Sequence, residues 1–398
     1  MKILTLSTFP FGTPRHGGQH RMSNLVETYR ANGHDVRSAG VLGSPLYPPE
    51  AGFLPPPSNE QYARYMPNAL LMEDWAIGRM AAEDDAWFEH LASMIVEAPD
   101  LIHVELPWLF AFARRYVRSR GLRTAILYGS ENVEHVLKRN IVESYIGKEH
   151  AIACERLVLA CEEEATARAD LACAVSEEDA RWLETHGASN VVVAANGVRD
   201  RTVNSRGIEK ANGIVGHRKC ALYCASAHPP NIVGFYEMFG KGVGCLSPEE
   251  RLVVAGSAGN AIRADPRFAN VPSLARHFVD AGEVDEETLQ GIIHCAHALV
   301  LPITQGGGTN LKTAEALWSG RHVVATPKAM RGFEIFIGQA GVSVCDDDIA
   351  FRHGVRDRMA APPLRLDALV RDSRRPVLWS STLRPLMDRV NTLTAPRR

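Results

Sequence analysis

One feature constrains the fold of this chain more than any other. Short apolar segments alternate with segments of helical periodicity, in two successive series. The first series predicts strands at 2–7, 35–41, 101–105, 124–128, 171–175 and 191–195. After residues 199–218, which lack apolar periodicity, the second predicts strands at 220–225, 251–255, 277–279, 298–301 and 322–325. Such alternation is typical of parallel sheets covered by helices on both faces. We therefore expect two facing, doubly wound α/β domains with a ligand cleft at the carboxyl ends of their strands.

The length of 398 residues also favours two domains, because one core rarely grows so large. We expect domains at 1–200 and 201–378, with 199–218 as the linker between them. A tail at 379–398 is expected to form a helix that packs back on the first domain. A single helix is expected over 73–96.

A proline-rich insertion follows the second predicted strand, and residues 44–67 are expected to be irregular. Over 44–72 it carries several large side chains: Tyr47, Phe53, Tyr62, Tyr65 and Met66. Two interpretations stay open for these side chains. They form an acceptor-side wall or an edge that leans on a membrane, or they pack on one another in a surface loop.

Composition excludes several classes of protein. A net charge of −2, without runs of Lys and Arg, argues against a nucleic-acid partner. The apolar run before Pro10 is short for a signal peptide, and no segment approaches the ~18 apolar residues of a membrane span. A cytoplasmic location is expected, with peripheral contact at the inner membrane face as an open alternative. Eight cysteines without a Cys-x-x-Cys pair predict neither a zinc site nor a disulfide framework.

The segment 301–320, LPITQGGGTNLKTAEALWSG, predicts a strand, a glycine loop and a helix in direct succession. Thr309 and Asn310 are good N-cap residues, Leu311 begins the helical spacing, and Gly320 is suited to the position after the helix. A glycine loop before a helix start aims backbone N–H groups and the helix dipole at an anion, usually a phosphate. The residues expected to bind the donor are Gly306, Gly307 and Gly308 of the loop, followed by Thr309, Asn310 and Leu311.

Two charged side chains strengthen this interpretation. Lys312, in the first turn, can add a positive charge, and Glu315, one turn later, can accept hydrogen bonds from sugar hydroxyls. A tight chain reversal without a ligand is the alternative for the loop alone. Glu315 favours a ligand, because a carboxylate among apolar neighbours is costly unless it is paired or faces one.

Three further loops follow predicted strands. Gly17 and Gly18 in the first loop allow close approach to a ligand or only a tight turn, and the absent Gly-x-Gly-x-x-Gly pattern disfavours NAD or FAD. Glu131 either touches a substrate or caps a helix. His228 either contacts a phosphate or is structural.

Other polar side chains near strands are expected to serve packing. His34 should lie on the far side of its strand from the cleft. His103 and Glu105 belong to the strand 101–105. They either approach the cleft or lie in the core, and the second interpretation is preferred.

Together these landmarks resemble the retaining nucleotide-sugar glycosyltransferases of family 4, which have the GT-B fold. The resemblance spans nearly the whole chain, in order: the Gly-Gly loop, Gly33-His-Asp-Val, Ala169-Asp170, Val175-Ser176, Asn196-Gly-Val, Pro230-Asn231, Val254-Ala-Gly, Gly282-Glu-Val and Pro302–Gly320. It implies transfer of a sugar, with retention of configuration, from a nucleotide diphosphate donor to an acceptor hydroxyl in glycan or glycoconjugate synthesis. UDP is favoured over GDP as the nucleotide, and the acceptor is a carbohydrate or a lipid- or protein-linked group.

The resemblance also assigns roles to residues. Glu315 corresponds to the glutamate that holds the ribose, and Lys312 is the expected cation at the diphosphate. The family usually has another glutamate eight positions earlier, where this chain has Gly307. An arginine usual after the first strand of the second half is replaced by Cys224-Ala-Ser-Ala-His228, so His228 or Arg15 is expected to help hold the diphosphate.

Neither a cofactor nor a metal is implied, because N–H dipoles and a cation can stabilise the departing phosphate. In the family a phosphate oxygen is thought to take the acceptor proton. A non-catalytic GT-B partner protein is the alternative that Gly307 and the missing arginine motivate. A nucleotide-sugar epimerase of the same architecture would need acid and base side chains that the sequence does not show.

Overall fold

The computed structural model describes residues 1–66 and 71–393. Part of the insertion, 67–70, and the last part of the tail, 394–398, therefore lie outside the described residues. The chain forms two compact units. Unit 1 comprises Met1–Ala195 together with the chain from Leu383 onward, and unit 2 comprises Asn196–Thr382.

Unit 1 is built on a seven-stranded parallel sheet. Its strands are β1 (Lys2–Ser7), β2 (Asp35–Val41), β3 (Phe53–Leu54), β4 (Leu101–Glu105), β5 (Ala125–Ser130), β6 (Leu171–Ala174) and β7 (Val191–Val193). They are ordered β3-β2-β1-β4-β5-β6-β7. The order reverses between β1 and β4, so the loops at the carboxyl ends of these strands flank the crevice where such sheets bind ligands.

The helices of unit 1 cover both faces of this sheet. They are α1 (Gly17–Ala31), α2 (Asn59–Tyr65), α3 (Glu73–Glu83), α4 (Asp85–Ser93), α5 (Phe110–Ser119), α6 (Glu134–Tyr145), α7 (Lys148–Arg168), α8 (Glu177–Thr185) and, after unit 2, α19 (Arg384–Thr392). Helix α19 packs against β7, as expected for the tail. Ser176 caps α8 by accepting from the Asp179 N–H, as the sequence predicts.

Unit 2 repeats the plan with six parallel strands. They are β8 (Cys220–Cys224), β9 (Arg251–Ala255), β10 (Phe278–Gly282), β11 (Ala298–Leu301), β12 (His322–Ala325) and β13 (Val342–Val344), in the order β10-β9-β8-β11-β12-β13. Here the order reverses between β8 and β11. The loop that carries His228 and the glycine loop therefore stand side by side at the switch point.

The helices of unit 2 are α9 (Ser205–Val215), α10 (Pro229–Phe239), α11 (Ala258–Ala264), α12 (Pro266–Ala269), α13 (Pro272–His277), α14 (Glu286–Cys295), α15 (Leu311–Trp318), α16 (Asp348–Ala360), α17 (Ala368–Ser373) and α18 (Trp379–Thr382). Short 3-10 turns occupy Lys328–Met330, Glu334–Phe336 and Arg375–Val377. No helix in the described ranges is long and apolar enough to cross a bilayer.

The prediction of a linker over 199–218 is wrong for most of its length, because α9 fills 205–215 and belongs to unit 2. The buried stripe of α9 consists of Gly207, Ala211 and Val215, at helical spacing. Small residues give little hydrophobic signal, so periodicity alone could not find this helix. They are small because α9 and α14 touch: a Cβ on Gly291 would lie 2.0 Å from the Gly207 carbonyl oxygen.

Two other predictions need correction. The single helix over 73–96 is two helices, because Asp84 breaks it and caps α4 by accepting from the Ala86 and Trp87 N–H groups. The insertion at 44–67 is not irregular throughout. It contains β3 and also α2, which begins with a capping box between Ser58 and Gln61.

Candidate functional site

The glycine loop after β11 has the geometry of an anion-binding turn. Gly306 and Gly308 have φ angles of +107° and +60°, which favour glycine, and Gly307 is exposed. Asn310 is the N-cap of α15, as predicted, but its side chain makes no capping hydrogen bond. The first N–H groups of α15, from half-buried Leu311 onward, are thus not capped by that side chain and can meet a ligand.

Tertiary contacts hold this loop in place. The Arg331 guanidinium donates from Nε (2.8 Å) and Nη2 (2.6 Å) to the Gly308 carbonyl oxygen. Buried Thr309 accepts from the Asn196 N–H and receives the Asn196 side-chain amide on its carbonyl oxygen, both at 3.1 Å. Arg331 was not found from the sequence, because it lies 23 positions from its partner and in no recognisable motif.

Lys312 is directed towards the loop after β8. Its ammonium donates to Oδ1 of Asn231 at 3.0 Å, and Asn231 is itself held by its donation to the Ser226 carbonyl oxygen at 3.0 Å. Burial lowers the pKa of Lys312 to about 8, although Cys224 and Glu315 act in the opposite direction. A bound phosphate would reverse this shift by favouring the charged ammonium.

Glu315 is half-buried one turn further along α15. Burial raises the pKa of its carboxyl group, and Arg201, Gln290 and Lys312 oppose that rise. Nε2 of Gln290 donates to Oε1 of Glu315 at 3.4 Å. This long contact leaves the carboxylate able to accept shorter hydrogen bonds from a ligand.

His228 is the N-cap of α10 and is exposed. The pKa of its imidazole is lowered by partial desolvation and by the charge of Lys312, so the two side chains share one electrostatic environment. The structure thereby brings Lys312, Glu315 and His228 together with the glycine loop within unit 2.

In unit 1, the structure brings Gly18 and Glu131 together. Helix α1 begins at Gly17, and a Cβ on Gly18 would lie 3.0 Å from both carboxylate oxygens of Glu131. The alternative role of Glu131 as a helix cap is wrong, because α6 begins after Val133 and its first N–H groups, those of Glu134 and His135, donate to the carboxylate of Glu162. The Glu131 Oε1 atom is buried without a hydrogen-bond partner in the described chain, and burial together with Glu105 raises the pKa of this carboxyl group well above its usual value.

A fully buried polar chain lies behind Glu131. Arg21 Nε donates to Glu105 at 2.8 Å, and the other oxygen of Glu105 contacts His103 Nε2 at 2.7 Å. Nδ1 of that ring lies 2.9 Å from the Tyr29 hydroxyl. His103 and Glu105 thus belong to the core, as the preferred interpretation held. Burial opposes ionisation of Glu105, but Arg21 and His103 outweigh it and lower the pKa to about 2.

A pocket of about 230 Å³ lies beside the first glycine loop, lined among others by Arg15, His16, Tyr47 and Glu50. Burial lowers the pKa of His16 to about 4. Of the five large side chains noted in the insertion, only Tyr47 lines this pocket. Phe53, Tyr62 and Met66 are buried: Tyr62 and Met66 belong to the hydrophobic core of unit 1, and the Phe53 ring lies edge-on to Phe11. Neither an acceptor-side wall nor packing on one another in a surface loop describes these three side chains.

The described ranges 1–66 and 71–393 contain no group of three or more His, Cys, Asp or Glu side chains arranged to hold a metal ion.

Residues 16–197 match the model of the glycosyl transferase 4-like domain. This part of the chain is similar to that family. No curated protein matches the sequence significantly. The fold is GT-B: sucrose-phosphate synthase from Thermosynechococcus elongatus has a TM-score of 0.73 at 15% identity, with 98% of each chain covered. The Anabaena protein HepE in complex with UDP-glucose has a TM-score of 0.61 at 13% identity, with 99% of this chain and 100% of that chain covered. The lipopolysaccharide outer core galactosyltransferase WaaB also has a TM-score of 0.61 at 13% identity, with 98% of this chain and 99% of that chain covered.

Proposed function

We propose that this protein is a retaining glycosyltransferase that moves a sugar from a nucleotide diphosphate donor to an acceptor hydroxyl in glycan or glycoconjugate synthesis. One combination of features carries the proposal. Helix α15 begins without a side-chain cap directly behind a glycine loop at the switch point of the sheet, and it bears both Lys312 and Glu315. A glycosyl transferase 4-like domain over 16–197 supports the same conclusion.

The donor diphosphate binds to the loop at 306–310 and to Lys312, with His228 nearby, and the ribose hydroxyls bind to Glu315. UDP is the proposed nucleotide, since HepE and a trehalose-6-phosphate protein from E. coli were both solved with UDP-sugars. In the reaction the bond between the sugar C1 and the β-phosphate oxygen breaks, and a bond from C1 to the acceptor oxygen forms on the same face. The acceptor proton passes to the departing phosphate.

The acceptor binds to unit 1, where Gly18 and Glu131 meet and where the pocket beside Arg15 and Tyr47 lies. This pocket is large enough for one sugar ring rather than a nucleotide. Arg15 and Glu50 supply polar groups for hydroxyls, and the aromatic face of Tyr47 suits the apolar side of a sugar. Leu46, 89% exposed at the pocket edge, is suited to an acceptor with an apolar part.

The test is a panel of UDP- and GDP-sugars, scored for turnover with simple acceptors and for donor hydrolysis, with the product anomer read by NMR. We expect turnover of a UDP-sugar with retention, unaffected by EDTA. Glu315→Ala should lower kcat/KM by about 10- to 100-fold, because the substitution removes charged hydrogen bonds to the ribose. The matched control is Glu209→Ala, which removes an exposed glutamate from α9 and should leave activity unchanged.

Three outcomes would count against the proposal: turnover by Glu315→Ala at the normal rate, an inverted product, or no nucleotide binding at all. Gly307, where the family usually has a glutamate, favours a non-catalytic partner protein as the second candidate. That candidate predicts that no donor in the panel turns over, even if calorimetry shows that UDP binds.

A further inference from the structure

Besides the pocket in unit 1, the structure has a pocket in unit 2, which extends from Glu315 past the C-terminal end of α15. It has a volume of about 490 Å³, within the usual range for small-molecule sites. Its lining is strongly basic: five arginines and His294, with Glu315 as the only acidic side chain among the described residues that line it. Trp318, Ile293 and Leu366 supply apolar surface.

The basic end of this pocket lies away from the glycine loop. Arg321 directly precedes β12, so it lies at the amino-end edge of the sheet. The glycine loop follows β11, which pairs in parallel with β12 from Ala298↔His322 to Leu301↔Ala325. Four strand residues separate the two edges by roughly 13 Å. Arg321 is therefore not part of the proposed diphosphate site.

Two of these guanidinium groups are removed from water without a compensating carboxylate. Arg374 is 1% exposed and donates to the carbonyl oxygens of Leu317 and Ala340, both at 2.7 Å. Arg321 is half-buried and contacts Nδ1 of His294 at 3.3 Å. The Nε atoms of both arginines are buried and have no hydrogen-bond partner in residues 1–66 and 71–393.

The carbonyl contacts of Arg374 explain part of its burial, because a cation at a helix C-terminus is stabilised by the helix dipole. They supply no full negative charge, and Arg321 lacks even these contacts. Burial lowers the pKa of both side chains, and no carboxylate of the described residues acts on either. Removing a charge from water without a counter-charge is unfavourable, so a bound anion would offset that cost.

Arg371 completes the arrangement. It is exposed, and its Cζ atom lies 5.7 Å from the centroid of the Trp318 ring. All three arginines line the same pocket, and the planar donor fork of a guanidinium group suits a phosphate better than a singly charged carboxylate. The apolar surface at Trp318 and Leu366 suits a ring attached to that phosphate.

We propose that this pocket binds a small phosphorylated molecule, with the phosphate at Arg321, Arg371 and Arg374 and its ring against Trp318. The site is separate from the proposed donor site but adjoins it through Glu315, so its occupant is placed to influence donor binding.

The probes are phenyl phosphate, inorganic phosphate and phenol, titrated into the full chain by calorimetry. We expect one saturable site for phenyl phosphate, at least tenfold weaker binding of inorganic phosphate, and no detectable binding of phenol. Arg321→Gln and Arg371→Gln should each weaken phenyl phosphate binding by tenfold or more. Arg371 is exposed, so its variant reports on the site even if Arg321→Gln fails to fold.

The control variant separates this site from the donor site. Lys312→Gln should weaken UDP binding and leave phenyl phosphate binding unchanged. Equal losses for both ligands would overturn the proposal, because the probe would then occupy the donor site. It would also be overturned by the absence of saturable binding, or by full affinity in the folded Arg371→Gln variant.

Discussion

The Lys312 ammonium group donates a hydrogen bond to Oδ1 of Asn231 at 3.0 Å, and this contact joins α15 to the first turn of α10 across 81 positions of sequence. It directs the only lysine of the glycine-loop segment towards the switch point of the sheet. Its amide partner is neutral, and burial lowers the pKa of Lys312 to about 8 although Cys224 and Glu315 act in the opposite direction.

Binding of UDP at pH 8 should be accompanied by proton uptake. The free lysine is about half neutral there, and the diphosphate favours its charged form. Affinity for UDP should therefore fall as the pH rises above about 8. Calorimetry in two buffers with different ionisation enthalpies measures the uptake. Lys312→Met should abolish it and flatten the pH dependence. A wild-type protein that binds UDP without proton uptake would exclude Lys312 from the phosphate site.

Replacement of Glu131 by Gln should stabilise the protein at neutral and alkaline pH. The raised pKa of this carboxyl group means that the folded state holds a proton that the unfolded state releases. Wild-type stability therefore declines as the pH rises from the unfolded pKa towards the raised folded value, and a neutral amide avoids this loss.

Thermal unfolding of wild type and Glu131→Gln from pH 4 to pH 9 measures the effect. The two curves should meet at the acid end and separate with rising pH, where each 1 kcal/mol corresponds to roughly 2–4 °C. Glu163→Gln, at an exposed position of α7, is the control and should follow wild type. A constant difference across the pH range would show that Glu131 is ionised in the folded state.

The crossing of α9 and α14 should tolerate no Cβ at its centre. Gly291→Ala should destabilise unit 2 by about 1–3 kcal/mol, because the added carbon would meet the Gly207 carbonyl oxygen at 2.0 Å. Gly207→Ala should behave similarly, since its Cβ would lie 2.5 Å from the Glu287 carbonyl oxygen.

Gly213→Ala in the same helix is the matched control. A Cβ there meets nothing within 4 Å, so the substitution should stabilise the helix by about 0.5–1 kcal/mol. Urea unfolding of the three variants measures these changes. Equal effects at Gly213 and Gly291 would indicate that helix propensity, rather than the close contact, governs the response.

The sequence located the elements that bear the site more reliably than their connections. The strands at Lys2–Ser7 and Ala298–Leu301, and the helix start after Asn310, were predicted correctly. Each of these depends on a local pattern of a few residues. Helix α9 was missed because small residues line its buried face, and the break at Asp84 was missed because the apolar pattern continues through it.

The roles of Glu315, Lys312, Glu131 and His228 stay predictions, but the structure adds partners that no local pattern could supply. Arg331 fixes the glycine loop, Asn231 orients Lys312, and Arg21 neutralises Glu105. Each of these contacts joins residues far apart in the chain.

By itself, the sequence determined the two parallel α/β units and the glycine turn after β11, because strand pattern, glycine content and helix start are encoded within short windows. Tertiary structure alone decided which charges are compensated. Arg21 pairs with Glu105 in the core of unit 1. In unit 2, half-buried Arg321 and buried Arg374 have no carboxylate acting on them among the described residues. Burial and pairing depend on which distant segments pack together, and that is fixed only when the chain folds.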